Sequence, residues 1–226
     1  MQYRKIEKGI FISRPNRFIA HVELEGRLEI CHVKNTGRLK ELFVPGAVVY
    51  LEDSMNISRK TRYDLVAVEK GSMLVNVDSQ APNPAVKEWL RSGGLYEKPV
   101  KIIPEYRYGD SKIDFYIEDE KRRALIEVKG VTLERNGVAA FPDAPTERGV
   151  RHIKELAGAL KEGYEAYVIF VIQFKPVKYF IPNDDTHPAF GQALREASDA
   201  GVKVLAYDCR VEPDGMMLDS RVEIRL

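Results

Sequence analysis

What most limits the folds open to this chain is a change of texture near residue 80. Before it, short runs rich in β-branched and aromatic residues follow one another: GIFIS, RFIAHVELE, RLEICHV, AVVYLED, YDLVAVE and MLVNV. Turn-forming pairs such as Glu25-Gly26, Pro45-Gly46 and Lys70-Gly71 separate most of them. One stretch among them, NTGRLKELF, reads as a short helix. Five or six strands with one helix predict a small β-barrel, an OB-fold first and an SH3-like barrel second.

The boundary falls in DSQAPNPAV, residues 78–86, where prolines, Asn and Ser favour turns and extended chain. We therefore expect two domains, 1–80 and 81–226. Beyond the boundary, NPAVKEWLRSGG is a predicted helix that ends at Gly93-Gly94. VKIIPEYRY, KIDFYIE and RALIEVKGV follow as an antiparallel meander. TERGVRHIKELAGALKEGY is a second helix, with Thr146 as N-cap and an apolar stripe of Val150, Ile153, Leu156, Ala157 and Leu160. AYVIFVIQF is a buried strand, HPAFGQALREASDAG a third helix, VKVLAYDC another strand and EPDGMML a hairpin turn. The expected class is mixed α+β and α/β, a barrel followed by a helix-flanked sheet.

Composition excludes little but excludes it clearly. A chain of 226 residues buries a substantial core without covalent staples. Net charge is +1, so nothing pulls the whole molecule to a polyanion. Residues 1–80 carry 13 Lys/Arg against 10 Asp/Glu, and residues 81–226 carry 22 against 24. The first part is thus the better polyanion binder and the second the better cation binder. Cys31 and Cys209 are the only cysteines and make no disulfide framework. The start lacks the uninterrupted apolar core of a signal peptide, and AYVIFVIQF is too short to span a bilayer. A soluble, cytoplasmic protein is expected.

The chemistry concentrates in ALIEVKG, residues 124–130. Strand side chains alternate, so Glu127 and Lys129 share one face and Ile126 and Val128 the other. Asp114 in KIDFY lies on the preceding strand of the meander and converges with Glu127 if the register sets them opposite. Two carboxylates about 4 Å apart repel by roughly 4 kcal/mol at an effective dielectric near 20. Lys129 offsets part of that, and a divalent cation more. Mg²⁺, or Mn²⁺ in its place, takes such oxygen ligands together with substrate phosphate. Asp114 and Glu127 are the expected metal ligands, Lys129 the group that positions water or offsets charge, and Glu105 in IPEYRY a third carboxylate. The plainer possibility is a solvated strand face with a surface ion pair worth about 0–1 kcal/mol. His21, His32, His152 and His187 are scattered without metal-ligand spacing.

Two further groups point to phosphate. Arg148 and His152 stand four apart near the start of the second helix, off its apolar stripe, where they suit a phosphate beside the metal or merely a polar surface. In the first domain, Arg14, Arg17, Lys34, Arg38, Arg59, Lys60 and Arg62 fall near Phe18 and Tyr63. Barrels bind single strands through such basic grooves and stacking rings, though a charged rim over core aromatics gives the same pattern.

Asp followed by Glu-x-Lys in this order of elements resembles the PD-(D/E)xK nuclease fold. More widely, the chain resembles the sugar fermentation stimulation protein family. The stretches RPNRFIAHVELEG, HVKNTGRLKELFVPG, RKTRYDL, APNPAV, SKIDFYIE, ALIEVKGVTL, FPDAPTERGVRHIKEL and NDDTHPAFGQAL carry the likeness over nearly the whole length. It implies an N-terminal OB-like domain, a C-terminal nuclease-like domain and DNA binding without sequence preference, linked to regulation of sugar use. By position the motif residues are Asp114, Glu127 and Lys129, with Ile113 where the motif has proline. Two functions follow as expectations: a Mg²⁺-dependent phosphodiesterase acting on DNA, or a DNA-binding regulator that uses the nuclease fold only as a platform.

Overall fold

The computed structural model describes every residue except Ile57 and Asp110. Its first strands are β1 (Ile6–Asn16), β2 (Ile19–Leu24), β3 (Arg27–Val33), β4 (Val48–Asp53), β5 (Tyr63–Lys70) and β6 (Met73–Asn76). Antiparallel pairing runs β3-β2-β1-β4-β5-β6. β3 then meets β5 in parallel, Cys31 beside Tyr63 and Val33 beside Leu65, which closes five strands into a barrel. Alternation turns Phe11, Val22, Cys31, Leu51 and Leu65 inward. The first part is an OB-type barrel, as its strand runs predict.

The expected helix in NTGRLKELF does not form, and Arg14 supplies the reason. Its guanidinium donates to the carbonyls of Asn35 at 2.8 Å, Gly37 at 2.9 Å, Arg38 at 2.7 Å and Arg17 at 2.7 Å. Those carbonyls face Arg14 instead of a helical ladder. Asn35 Oδ1 also accepts the Gly37 N–H at 2.8 Å, and Leu39 has φ +49°, which a right-handed helix excludes.

The second part begins with α1 (Pro82–Arg91), then β7 (Lys101–Tyr108), β8 (Ser111–Glu118) and β9 (Arg123–Val131). β10 (Leu133–Arg135), β11 (Val138–Phe141) and α2 (Glu147–Ala159) follow, then β12 (Glu165–Ile172), β13 (Tyr179–Pro182), α3 (Pro188–Asp199), β14 (Lys203–Glu212) and β15 (Gly215–Arg221). A mixed six-stranded sheet has the order β15-β14-β12-β9-β8-β7, with β9, β12 and β14 parallel. Leu125, Val168 and Phe170 pack on one face against Ile153 and Leu156 of α2 and Leu194 of α3. Ile126, Val128, Ile169 and Val171 pack on the other against Ala85, Val86 and Leu90 of α1. Glu127 and Lys129 therefore point to the α2 side. A separate sheet, β10-β11-β13, went unpredicted, although Asn136-Gly137, with φ of +56° and +85°, is an evident hairpin turn.

The segment that joins the two parts is exposed only at Ser79 and Gln80. Asp78, Ala81 and Pro82 are buried. Gln173, just past β12, donates to Asn76 O at 3.1 Å, Asn76 Oδ1 at 2.9 Å and Asp78 O at 3.0 Å. Lys70 Nζ lies 2.5 Å from Glu134 Oε2 across the same joint. Cys31 and Cys209 are free and buried, and burial pushes the Cys31 thiol up to about 12. Among the described residues no helix is long and apolar enough to cross a membrane.

Candidate functional site

The β8–β9 ladder pairs Ile117 with Ala124, Tyr116 with Leu125 and Phe115 with Ile126. One more step in that register sets Asp114 opposite Glu127. There the Asp114 side chain takes over from the backbone: its Oδ2 accepts the Val128 N–H at 2.8 Å, and its Oδ1 accepts Asn83 Nδ2 at 2.8 Å. Asp114, Glu127, Lys129, Arg148 and His152 all line one pocket of about 520 Å³, with Ser79, Gln80 and Asn83 forming the wall nearest the barrel. The two carboxylates thus line one pocket, where the charge of Glu127 acts on Asp114.

Glu127 is only 2% exposed. Its Oε1 receives two donors, Lys129 Nζ at 2.6 Å and His152 Nδ1 at 2.5 Å. Its Oε2 is fully buried and has no hydrogen-bond partner among the described residues. His152 Nε2 accepts from Arg148 Nε at 3.3 Å, so Nδ1 carries the proton that it donates to Glu127. His152 is 3% exposed and one of the buried residues of α2. That corrects the expectation of a histidine on the helix's polar side: the buried face of α2 takes in Gly149, His152, Ile153, Leu156 and Ala159, with the imidazole behind Glu127. Arg148 is exposed, and its terminal nitrogens make no hydrogen bond among the described residues.

Electrostatics separate the two acids. Burial raises the Asp114 carboxyl, and the neighbouring Glu127 charge raises it further; the bonds from Val128 and Asn83 oppose this without cancelling it. Burial would raise Glu127 as well, but the His152 hydrogen bond and the Lys129 charge outweigh it and hold Glu127 below its ordinary value.

Glu105 does not join them. It sits at the pocket rim with φ +49°, its side chain is 74% exposed, and its carboxylate pairs with Lys112 at 3.2 Å. Among the described residues, no three Asp, Glu, His or Cys side chains gather as one metal-binding group. The site offers two carboxylates rather than the expected three.

The barrel cations divide sharply. Arg14 is used up by backbone carbonyls and lies over the Phe43 ring. Lys34 Nζ lies 3.1 Å from Asp78 and 3.4 Å from Asp64; Arg59 pairs with Asp64 at 2.6 Å, and Arg62 with Asp53 at 2.7 Å. These four charges hold the barrel together. Arg17, Arg38 and Lys60 are exposed and have no carboxylate partner among the described residues. Arg17 and Arg38 line a groove of about 520 Å³ with Arg14, Ile12, Phe43, Pro45 and Lys40, and among the described residues no acidic side chain lines it. Phe18, next to Arg17, is 53% exposed, whereas Tyr63 is buried in the core.

Sequence reasoning passed over Lys40, Ser79 and Gln80, and placed Ala81-Pro82-Asn83 in the boundary between the two domains. The signal available was the turn itself. Prolines at the start of α1 fix where Asn83 points, but nothing local says that Asp114 waits there. Thr146 caps α2 as expected, its Oγ1 accepting the Gly149 N–H at 3.1 Å. Asp143 lies against Gly37 of the barrel, so closely that a β-carbon there would collide with its carboxylate. It is a residue of the joint.

Comparison with known proteins agrees with this architecture. The family model described as the SfsA N-terminal OB domain matches residues 12–77, and that described as the sugar fermentation stimulation protein RE domain matches residues 80–215. A sugar fermentation stimulation protein homolog from Ruminiclostridium cellulolyticum is 57% identical over the full length of both chains. One from Clostridium botulinum is 46% identical over 99% of this chain and 98% of its own. A solved structure, described as that of Pyrococcus furiosus SfsA in complex with Ca²⁺, superposes with a TM-score of 0.90 at 30% identity, covering 100% of this chain and 98% of that one.

Proposed function

The chain belongs to the sugar fermentation stimulation protein family, and from that premise we propose that it binds DNA with little sequence preference and hydrolyses phosphodiester bonds in a divalent-cation-dependent pocket. One observation carries the reading: Glu127 Oε2 is buried and, among the described residues, unpaired, and the same pocket holds a second carboxylate, Asp114, that is itself kept above its ordinary value by burial and by Glu127. A buried carboxylate oxygen without a donor is costly and calls for a cation.

The donor set suits a hard divalent ion, since Asp114 and Glu127 offer only oxygen and the imidazole nitrogens of His152 are engaged elsewhere. That the Pyrococcus furiosus relative is described with Ca²⁺ supports the same reading. When bound, such an ion, Mg²⁺ or Mn²⁺ in the working protein, polarises a phosphoryl oxygen and acidifies a bound water. The chain's own residues do the rest. Asn83 and the Val128 N–H fix the Asp114 carboxylate. Lys129 shares the face of Glu127, and its ammonium offsets charge that develops on the phosphate. Arg148 presents unbonded guanidinium nitrogens to a phosphate oxygen. The barrel groove of Arg17, Arg38 and Lys40 holds the strand by its backbone, which positions it without reading its sequence.

The test incubates purified protein with single- and double-stranded DNA plus Mg²⁺ or Mn²⁺. Cleavage that disappears in Asp114→Asn, Glu127→Gln and Lys129→Ala supports hydrolysis. Intact DNA at high protein excess rejects it and leaves a DNA-binding protein.

A further inference from the structure

We propose that His152 is a positioning residue: one imidazole holds Glu127 by Oε1 and Arg148 by Nε, so that Glu127 keeps its buried Oε2 clear of protein donors and available to a divalent cation while Arg148 keeps its terminal nitrogens free for a phosphate. The inference rests on the cation-dependent reading above and adds the device that would keep the site ready.

The distribution of donors argues for it. Two donors crowd onto Glu127 Oε1, Lys129 Nζ at 2.6 Å and His152 Nδ1 at 2.5 Å, while Oε2 has none. A carboxylate kept only for ion pairing gains most by sharing its donors between both oxygens. Here Lys129 alone already supplies the countercharge. A second donor on the same oxygen adds orientation: with Oε1 pinned from the α2 side, the carboxylate cannot rotate to satisfy Oε2. It also makes Lys129 dispensable as an anchor, so its ammonium can turn to substrate without releasing Glu127.

The other ring nitrogen completes the device. His152 Nε2 accepts from Arg148 Nε at 3.3 Å, one helical turn away on α2. Arg148 thereby spends its inner nitrogen on the protein and keeps its outer ones. It also fixes the tautomer, because an Nε2 that accepts leaves the proton on Nδ1 for Glu127. A buried position flanked by Gly149, Ile153 and Leu156 would be filled more simply by an apolar side chain if packing were its only duty. Both ring nitrogens are instead committed to residues that line the pocket.

The test exploits the chemistry of the ring. A glutamine amide offers an N–H donor at one end and a carbonyl acceptor at the other, as a neutral imidazole does with its two nitrogens; leucine offers neither. Ca²⁺ affinity is measured by calorimetry on the full-length protein and on His152→Gln and His152→Leu, with thermal midpoints recorded alongside. We expect His152→Gln to stay within about threefold of the unaltered chain and His152→Leu to lose about 10- to 100-fold, the usual effect of removing a partner that orients a metal ligand. A second readout is binding of a single-stranded oligonucleotide without metal. His152→Leu should fall to the level of Arg148→Gln, and the double variant should fall no further. Unchanged Ca²⁺ affinity in His152→Leu, equal losses in both His152 variants, or additive losses with Arg148→Gln would overturn the proposal. If His152→Leu does not fold, His152→Met takes its place under the same criteria. If neither folds, His152→Gln decides alone, a tenfold loss overturning the proposal. Should the unaltered chain bind no Ca²⁺, the cation reading itself fails, and that failure is visible before any variant is made.

Discussion

Asn83 Nδ2 donates to Asp114 Oδ1 at 2.8 Å, so a residue in the first turn of α1, just past the joint between the two parts of the chain, holds one of the two pocket carboxylates. The bond favours the charged form of Asp114, which burial and Glu127 oppose. Replacing Asn83 with Ala removes the bond and should move the Asp114 pKa further up. A carboxyl-carbon NMR titration of Asp114 in both proteins checks the direction.

Asp114→Asn should stabilise the protein in the absence of divalent ions, with a characteristic pH dependence. The folded-state pKa of Asp114 is raised above 3.8, so the charged carboxylate carries a penalty. The penalty is absent below 3.8 and complete above the folded-state value. The advantage of Asp114→Asn should therefore grow as pH rises from 3.8 and then level off. Urea denaturation in a chelating buffer at several pH values measures it, and an advantage that shrinks with pH would contradict the crowding of the two acids.

Glu127→Gln should do the reverse. It leaves Lys129 and His152 facing a neutral amide, and breaking a buried pair of this kind costs about 3 kcal/mol. The Glu127 pKa is lowered from 4.5, so its contribution is present above 4.5 and is lost as pH falls through the folded-state value. The gap between the unaltered chain and Glu127→Gln should narrow on acidification, again by urea titration.

Removing Arg17, Arg38 and Lys40 together should weaken DNA binding similarly for unrelated sequences. Each lost phosphate contact should lower the slope of log affinity against log salt by about 1. Fluorescence anisotropy at several salt concentrations gives that slope. A triple variant with the slope of the unaltered chain would place the strand elsewhere.

Arg14→Ala, by contrast, should act on stability. Four carbonyls of the Asn35–Arg38 and Arg17 loops lose a charged donor, and the barrel should weaken by on the order of 3 kcal/mol. Circular dichroism melting reads this directly. Binding measured well below the melting temperature should keep its salt slope.

Most of the architecture was legible because it rests on local periodicity. The barrel strands, the meander, the three helices and the Thr146 cap each follow from patterns a few residues long. NTGRLKELF has the composition of a helix, and the failure of that expectation came from a distant side chain, Arg14, that claims its carbonyls. The small β10-β11-β13 sheet was missed because its strands are three or four residues long, although Asn136-Gly137 marks its hairpin.

The candidate site divides the same way. Alternation along ALIEVKG puts Glu127 and Lys129 on one face whatever the fold, and the meander puts Asp114 on the neighbouring strand. Those facts belong to the sequence. That His152 stands behind Glu127, that Asn83 reaches Asp114, that Glu105 pairs with Lys112, and that Arg14, Arg17 and Arg38, among the described residues, line the groove with Lys40 while Lys34, Arg59 and Arg62 pair with carboxylates were decided by the tertiary structure. The physical reason is range. Backbone periodicity is set by residues two to four apart, whereas a charge finds its partner by distance in space, and here Lys34 meets Asp78 only once the barrel has formed, and His152 meets Glu127 only once α2 has packed on the sheet.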